Sequence, residues 1–300
     1  MPARFAAYPN DSAALIRVLD DDTNYRIGRS SECEIRIEHR SISRFHAELA
    51  GSATRWSLND TGSKNGFSVD GRLTRRAELE KSTWFMVGDV YCSFEPLDAD
   101  ASAALRVNGE TRRATSRALS AQLQPNLGVG TLIPQTLDMV LQLSGLERGF
   151  VLFAPRGEPM RVRATRGLRA EEITSRQFAG SIAAVDRALA TGEHVVCCDT
   201  QDSPWLGARP SVRLGGIRSL LCLPLTLGTH ATGVLYADSR KPGPPITELD
   251  IELVENVTRQ ASAAIEASRL ESRILDAMRA AADMGVAGIA PSWEELRRSA

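Results

Sequence analysis

No stretch of this 300-residue sequence approaches the roughly 20 consecutive apolar residues that cross a bilayer. The most apolar short run, residues 219–227, is broken by Pro224. The first residues, MPARFAAYPNDSAAL, lack the basic start and long apolar core of a secretory signal. There is no surplus of positive charge either. Lys and Arg number 36 against 37 Asp and Glu, for a net charge of -1, which argues against a general nucleic-acid binder. A small local patch of positive charge is not excluded by that balance. The five cysteines show no metal-ligand spacing, and their odd number in a long chain fits a reducing cytoplasm better than a disulfide scaffold. The adjacent Cys197 and Cys198 read as two small residues of one strand with side chains on opposite faces. No repeat of fixed period appears. Gly128-Val129-Gly130 lacks the third glycine, the preceding strand and the later acidic residue of a dinucleotide fingerprint.

What is present divides the chain in two. Residues 1–97 hold short β-rich runs, among them Ala14-Leu15-Ile16-Arg17-Val18, Glu34-Ile35-Arg36-Ile37 and Thr83-Trp84-Phe85-Met86-Val87. Turn signals separate them: Asp20-Asp21-Asp22, Gly62-Ser63-Lys64-Asn65-Gly66 and Asp70-Gly71. Closely spaced strands without helical period predict an all-β sandwich. Residues 98–119 are polar and small, with no sustained apolar face, and read as a linker. From there the pattern becomes α+β, and residues 120–275 form the second domain. It has a helix carrying Leu132, Leu137, Val140, Leu141 and Leu143, a strand over 150–153, and a helix near 182–189. Strands follow at 194–198, 219–227 and 233–238. A long helix runs from 248 to about 278, with Ile251, Val254, Thr258, Ala261, Ile265 and Ser268 spaced by three and four along one face suited to a partner helix or to the chain's own sheet. Residues 276–300, with Gly285, Gly288 and Pro291, read as a C-terminal tail.

Three segments of the β domain belong together: Tyr25-Arg26-Ile27-Gly28-Arg29-Ser30, Ser41-Ile42-Ser43-Arg44-Phe45-His46-Ala47 and Asn59-Asp60-Thr61-Gly62-Ser63-Lys64-Asn65-Gly66. In isolation, Arg29 is a surface arginine, Ser43 a turn residue and Asn65-Gly66 a hairpin turn. In this order and spacing they resemble the G-R, S-R-x-H and N-G signature of forkhead-associated domains. The likeness covers nearly all of residues 1–97 and includes Trp56 and the closing Val87-Gly88-Asp89. It implies a phosphothreonine-peptide reader. The chemistry agrees, because a phosphothreonine carries close to two negative charges and three acceptor oxygens. Its reader needs a guanidinium, small hydroxyls and free amides on loops held by a rigid sheet.

Carried over, the resemblance implies phosphate contact by Arg29 and Ser43, with Ser63 or Lys64 assisting and Arg44 adding positive charge. It implies that Asn65 clamps the peptide backbone, as its donor and acceptor suit. Gly28, His46 and Gly66 are structural: a tight turn, a buried hydrogen-bonding histidine and the N-G turn. Lys64 and Phe67 stand where threonines are frequent, and Asp70 where asparagine is frequent. Lys64 brings charge toward the phosphate and competes for the space of the threonine methyl, so the choice between phosphothreonine and phosphoserine stays open.

The second domain resembles a GAF domain, a small-molecule sensor and dimerisation module with a central antiparallel sheet. The residues that carry this are Ile217-Arg218-Ser219-Leu220-Leu221-Cys222-Leu223-Pro224-Leu225, Gly233-Val234-Leu235-Tyr236-Ala237-Asp238-Ser239 and the helix from Glu248. The N-K, F and D-E marks of cyclic-nucleotide binders are missing after Asp238, and Cys197, Cys198 and Cys222 are not in the surroundings of a bilin attachment. His194 and His230 carry no haem signature. The expected cofactor is none, or an unknown small ligand, and no metal.

Together the resemblances imply a cytoplasmic signalling adaptor or regulator in a Ser/Thr-kinase pathway. It would bind a phosphothreonine protein, a kinase or its substrate, and form a homodimer through the GAF helices, with no direct nucleic-acid or membrane partner. No P-loop, basic recognition helix, cyclase or phosphatase motif is present, so the expected output passes through partners, and the chain is not expected to be an enzyme. The alternatives are a transcription regulator without its own DNA-binding domain and a cysteine-based redox enzyme using Cys197, Cys198 and Cys222. The flanks Val195-Val196 and Leu220-Leu221 read as buried, the wrong setting for a reactive thiolate. One switch is also open: Arg112-Arg113-Ala114-Thr115 suits basophilic kinases, and phosphorylated Thr111 or Thr115 in a solvated linker would dock into the reader domain.

Overall fold

A computed structural model of the chain describes all residues except 53, 155–157, 170–171, 173–179, 228–229 and 284–300. Among the described residues, the first domain is a sandwich of two sheets. One has the order β2 (Leu15–Leu19), β1 (Ala3–Tyr8), β11 (Val90–Pro96), β10 (Thr83–Val87), β7 (Phe67–Val69) and β8 (Arg72–Thr74). The other has the order β4 (Ile35–Arg36), β3 (Asn24–Gly28), β5 (Ala47–Gly51), β6 (Trp56–Asp60) and β9 (Arg76–Glu78). Alternating apolar positions of both sheets meet in a core that includes Phe5, Leu49, Trp56, Phe67 and Phe94. Trp56 is the largest side chain buried there, and its indole N–H donates to the Met1 carbonyl at 2.8 Å, so its polar atom is satisfied inside the core. Asp70 and Gly71, both at positive φ, turn β7 into β8.

The second domain is built on an antiparallel sheet ordered β13 (Arg161–Arg166), β12 (Arg148–Phe153), β16 (His230–Ser239), β15 (Ser219–Leu227) and β14 (Val195–Cys197). Helices cover both faces. Leu137 and Val140 of α2 (Val129–Ser144) and Val254, Val257, Ala261 and Ile265 from the long C-terminal helix pack on one side. Helices α3 (Ile182–Thr191) and α4 (Pro210–Gly215) pack on the other, where Phe150 and Tyr236 stack at 4.8 Å. The long helix, α5, spans Glu248–Asp283, beyond the point where the sequence pattern stops, and the rest of the expected tail, from 284 on, lies outside the described residues. No helix among the described residues is long and apolar enough to cross a membrane.

The expected linker is the main correction. Residues 98–119 are not loose: Ala99–Ser120 form one 22-residue helix, α1, whose first turn is capped by the Asp98 carboxylate accepting from the Ala101 amide at 2.7 Å. It lies against α5 through small polar residues. The Ser116 hydroxyl donates to the Leu253 carbonyl at 2.9 Å, Asn256 donates to Ser120 at 2.9 Å, and Arg113 pairs with Glu252 at 2.8 Å. The buried residues of this helix are Ser102, Ser116 and Ser120, with no leucine stripe among them, so an apolar-periodicity reading passes over it.

This places Thr111 and Thr115 on the exposed side of a continuous helix, with Arg112 and Arg113 engaged by Asp250 and Glu252. The docking switch envisaged for a free linker does not match that arrangement. The hairpin tip between β1 and β2 also enters the second domain. Ala13 joins its core, the Ala14 amide donates to the Ile246 carbonyl at 2.8 Å, and the Glu248 amide donates back to Ala14 at 2.9 Å. Arg17 adds an ion pair to Glu248 at 2.6 Å.

Hydrogen exchange separates the two descriptions of residues 98–119. A docked α1 predicts amide exchange over 103–118 slowed by on the order of a hundredfold or more relative to an unstructured chain. Exchange there at unstructured rates would return the segment to a linker.

Candidate functional site

The site sits at one end of the β-sandwich, where three loops converge on one buried imidazole. Gly28 ends β3, and its lack of a side chain is required, since a Cβ would stand 2.1 Å from the Arg44 carbonyl oxygen. That close approach lets the Arg29 amide donate to the Ser43 carbonyl at 3.0 Å and the Ser30 amide to the Arg44 carbonyl at 3.1 Å. The first two loops are therefore laced together at the backbone.

His46 fixes the third loop. Its side chain has 0% exposure. The Ser43 amide donates to Nδ1 at 3.1 Å, which makes Nδ1 the bare nitrogen, so Nε2 carries the hydrogen and donates to the Gly66 carbonyl at 2.8 Å. A neutral imidazole in one tautomer thus ties Ser43 to the Asn65-Gly66 turn, which needs the positive φ of 66° at Gly66.

Asp60 shapes the same turn. Burial pushes its carboxyl up, but hydrogen bonds from the Ser63 hydroxyl and the Ser63 and Gly62 amides outweigh that and hold it below the ordinary carboxylate value. The Ser63 hydroxyl gives its hydrogen to Asp60 at 2.5 Å and accepts from the Gly66 amide at 2.8 Å. Ser63 was expected to assist the phosphate. Its hydroxyl hydrogen is instead spent inside the loop.

Ser43 differs. Its hydroxyl accepts from the Lys64 amide at 3.0 Å, which leaves its own hydrogen for an incoming acceptor. Asn65 donates one Nδ2 hydrogen to the Ser41 carbonyl at 2.8 Å, and its Oδ1 has no partner among the described residues. An oriented amide with a spare donor and acceptor is what a peptide backbone can engage.

The charges follow the same division. Arg26 is committed to Glu34 at 2.9 Å, and hydrogen bonds from its side chain and amide draw the Glu34 carboxyl down to about 2. The side chains of Arg29, Arg44 and Lys64 are exposed and make no ion pair among the described residues. The site is thus a rim of three uncompensated cations around a hydroxyl and an amide, set on loops that their own hydrogen bonds hold in place.

Sequence reasoning missed two contributors. Ser41 accepts the Asp89 amide on its hydroxyl at 2.8 Å and the Asn65 side chain on its carbonyl, joining the site to the β10–β11 turn. Asp60 had a legible signal in the Asp-x-x-Ser spacing of a side-chain-capped turn, but only the coordinates show which turn it caps.

Among the described residues, the second domain shows no comparable rim. Arg148 is buried and forks onto Asp238 at 2.5 and 3.2 Å; its Nη1 has Glu172 at 3.7 Å and no hydrogen-bond partner among the described residues. His194 pairs with Glu255 at 2.7 Å, and the side chain of His230 lies outside the described part. The thiols proposed for redox chemistry are unfavourably placed. Burial pushes Cys197 up to about 12 and raises Cys222 and the half-buried Cys198 as well.

Two outcomes are expected. His46→Ala leaves the Ser43 amide unpaired and the Gly66 carbonyl with the Gly88 amide as its remaining donor at 3.0 Å, and should destabilise the first domain by about 2 kcal/mol in chemical denaturation; an unchanged midpoint would show that the imidazole is not the tie between the loops. In the native protein at neutral pH, a thiol reagent should leave Cys197 and Cys222 unlabelled until denaturant is added. Rapid labelling of either would revive the redox reading.

Comparison with known proteins accords with this geometry. The family model described as FHA domain matches residues 25–88, and that described as GAF domain matches residues 129–265. No curated protein matches the chain. Among solved structures, the FHA domain of the CT664 protein from Chlamydia trachomatis is 27% identical, over 32% of this chain and 99% of that one, with a TM-score of 0.28. Mycobacterium tuberculosis EmbR, solved with a low-affinity phosphopeptide, is 24% identical over 30% of this chain and 24% of its own, with a TM-score of 0.25. A GAF domain/HD domain protein from Geobacter sulfurreducens is 17% identical over 48% of this chain and 95% of its own, with a TM-score of 0.39. The chain carries an FHA domain followed by a GAF domain, two families of binding and regulatory modules.

Proposed function

We propose that this protein is a phosphothreonine-peptide-binding regulator in a Ser/Thr-kinase pathway, reading its partner through the FHA domain and pairing with a second copy through the GAF domain. One observation carries the first half. Arg29 presents an exposed guanidinium with no counter-ion among the described residues, on a loop laced to Ser43. A dianionic phosphate supplies the missing charge, the Ser43 hydroxyl one further hydrogen bond, and Arg44 and Lys64 a positive surround. Asn65 then holds the peptide backbone beside the modified residue. Ser63 is left out of the phosphate contact and keeps the loop shape.

The second half draws on α5. Leu270, Ile274 and Met278, four residues apart, are 50%, 61% and 64% exposed, and Leu275 beside them is 47% exposed. Such a stripe on the far end of a long helix suits burial against the same helix of another copy. Sensing of a small polar ligand by the GAF domain belongs to the same proposal, supported by a buried Arg148 nitrogen that has no hydrogen-bond partner among the described residues.

A phosphothreonine peptide with neutral flanks should bind, and its unphosphorylated form should not. Arg29→Ala should weaken binding by about 2–3 kcal/mol, on the order of a hundredfold, with the unfolding midpoint unchanged, as calorimetric titration and thermal melts would show. Equal affinity of the variant and the parent protein would place the phosphate elsewhere. For the GAF half, Leu270→Glu combined with Ile274→Glu should convert a dimer to a monomer in sedimentation. A parent protein that is already monomeric would remove that half of the proposal.

A further inference from the structure

The outer face of the first sheet, turned away from the sandwich core, carries large apolar side chains exposed to solvent. Strand pairing sets them in order. One row crosses five strands as Tyr8, Tyr91, Met86, Ser68 and Leu73, each opposite the next. In the neighbouring row Trp84 stands opposite Ser93. Because Ser93 is small, the indole reaches across it and stacks on Tyr8, with ring centroids 5.5 Å apart and 25° between the planes. The stack fixes the indole, yet Trp84 stays 61% exposed, with Tyr91 at 57% and Leu73 at 74%. No charged residue stands in these rows; the nearest on this face are Arg4 and Glu95, paired with each other at 3.4 Å.

Single exposed apolar residues are ordinary, but a contiguous patch of Trp, Tyr, Met and Leu has the composition of an interface core. The fold gives these side chains no other task, since the alternate residues Phe67, Phe85 and Cys92 of the same strands already fill the core. Position points to what covers the patch. Met86 and Tyr91 lie one residue in from the β10–β11 turn, whose Gly88 amide donates to the Gly66 carbonyl at 3.0 Å and whose Asp89 amide donates to the Ser41 hydroxyl at 2.8 Å. At the end of the row Leu73 lies over Gly66, where a Cβ would stand 2.9 Å from its Cδ1. The apolar row therefore runs up to the Asn65-Gly66 turn without a break.

We infer that this sheet face docks an apolar segment of the same phosphothreonine protein, next to the phosphothreonine in its chain. The partner is then gripped twice, by charge at the rim and by apolar contact across the sheet. The row spans four strand spacings, roughly 19 Å, which about six extended residues match. The inference rests on the phosphopeptide reading above and adds the partner's second contact. A second copy of this chain is the competing occupant, and it lacks the tether that Asn65 gives to a bound peptide.

The test uses the full chain and three phosphothreonine peptides. One is short, with neutral polar flanks. The other two add a six-residue arm of alternating leucine and threonine, on the amino side or on the carboxyl side. One arm should raise affinity about tenfold, the return from burying one or two leucines, and the gain should persist at high salt. Trp84→Thr combined with Leu73→Thr, substitutions that suit a strand, should abolish the gain. The short peptide should bind this variant within about twofold of the parent protein, which also shows that the rim remains folded. Neither arm improving binding would overturn the inference. So would a gain that survives the double variant, or an arm of alternating serine and threonine that binds as tightly. Sedimentation in which the double variant loses a self-association shown by the parent would assign the face to a second copy and overturn it as well. In each of these the short peptide still binds and the reader function stands. If the short peptide does not bind the parent protein, the reader function fails, and this docking role fails with it.

Discussion

One buried imidazole governs the peptide-reading end of the molecule. His46 accepts from the Ser43 amide of one loop and donates to the Gly66 carbonyl of another, and the imidazole itself has no exposure. Removing the imidazole strips the Ser43 amide of its partner and leaves the Gly66 carbonyl with the Gly88 amide alone, a larger loss than the net value of one bond. The loops are therefore preorganised. Arg29, Ser43 and Asn65 are set before a ligand arrives, and binding does not have to supply the entropy of ordering them. The exposed cations around them carry no ion pairs among the described residues, and an anion would relieve their mutual repulsion. Stability and function are separated in this arrangement: His46, Gly28 and Asp60 hold the frame, while Arg29 and its neighbours are displayed on it.

The two domains are joined more closely than a flexible tether would allow. The β1–β2 tip contributes Ala13 to the GAF core and exchanges backbone hydrogen bonds with the start of α5. Helix α1 runs beside the start of α5 in the same direction, with Arg112 and Arg113 in ion pairs and Ser116 and Ser120 in hydrogen bonds. The FHA domain thus grips the first turns of the helix whose far end carries the exposed apolar stripe. A change at either end of α5 acts on a continuous rigid element.

Much of this was legible in the residues, and the remainder has identifiable reasons. The glycine, arginine, serine, histidine and asparagine of the signature are chemically specific, so their order announced the β-sandwich and the rim. The strands of the second domain were legible for a different reason: runs such as 219–227 and 233–238 are apolar and bounded by turns. Helix α1 was hidden because its buried face is serine, and serine reads as solvated unless a partner such as Asn256 is known. The resemblance implies Ser63 or Lys64 as an assistant to the phosphate contact, and Ser63 is instead committed within its own loop. Its commitment to Asp60 depends on geometry that spacing alone does not give.

The central claim is that a phosphate binds where Arg29 and Ser43 meet, on loops already fixed by His46. Nuclear magnetic resonance of the full chain titrated with a phosphothreonine peptide tests it most directly. The account predicts saturable shifts of the Arg29 side-chain N–H and of the Ser43, Lys64 and Asn65 amides, with the His46 ring resonances keeping their neutral tautomer throughout. Saturable shifts confined to other surfaces, or a ring that changes tautomer as the ligand binds, would contradict it.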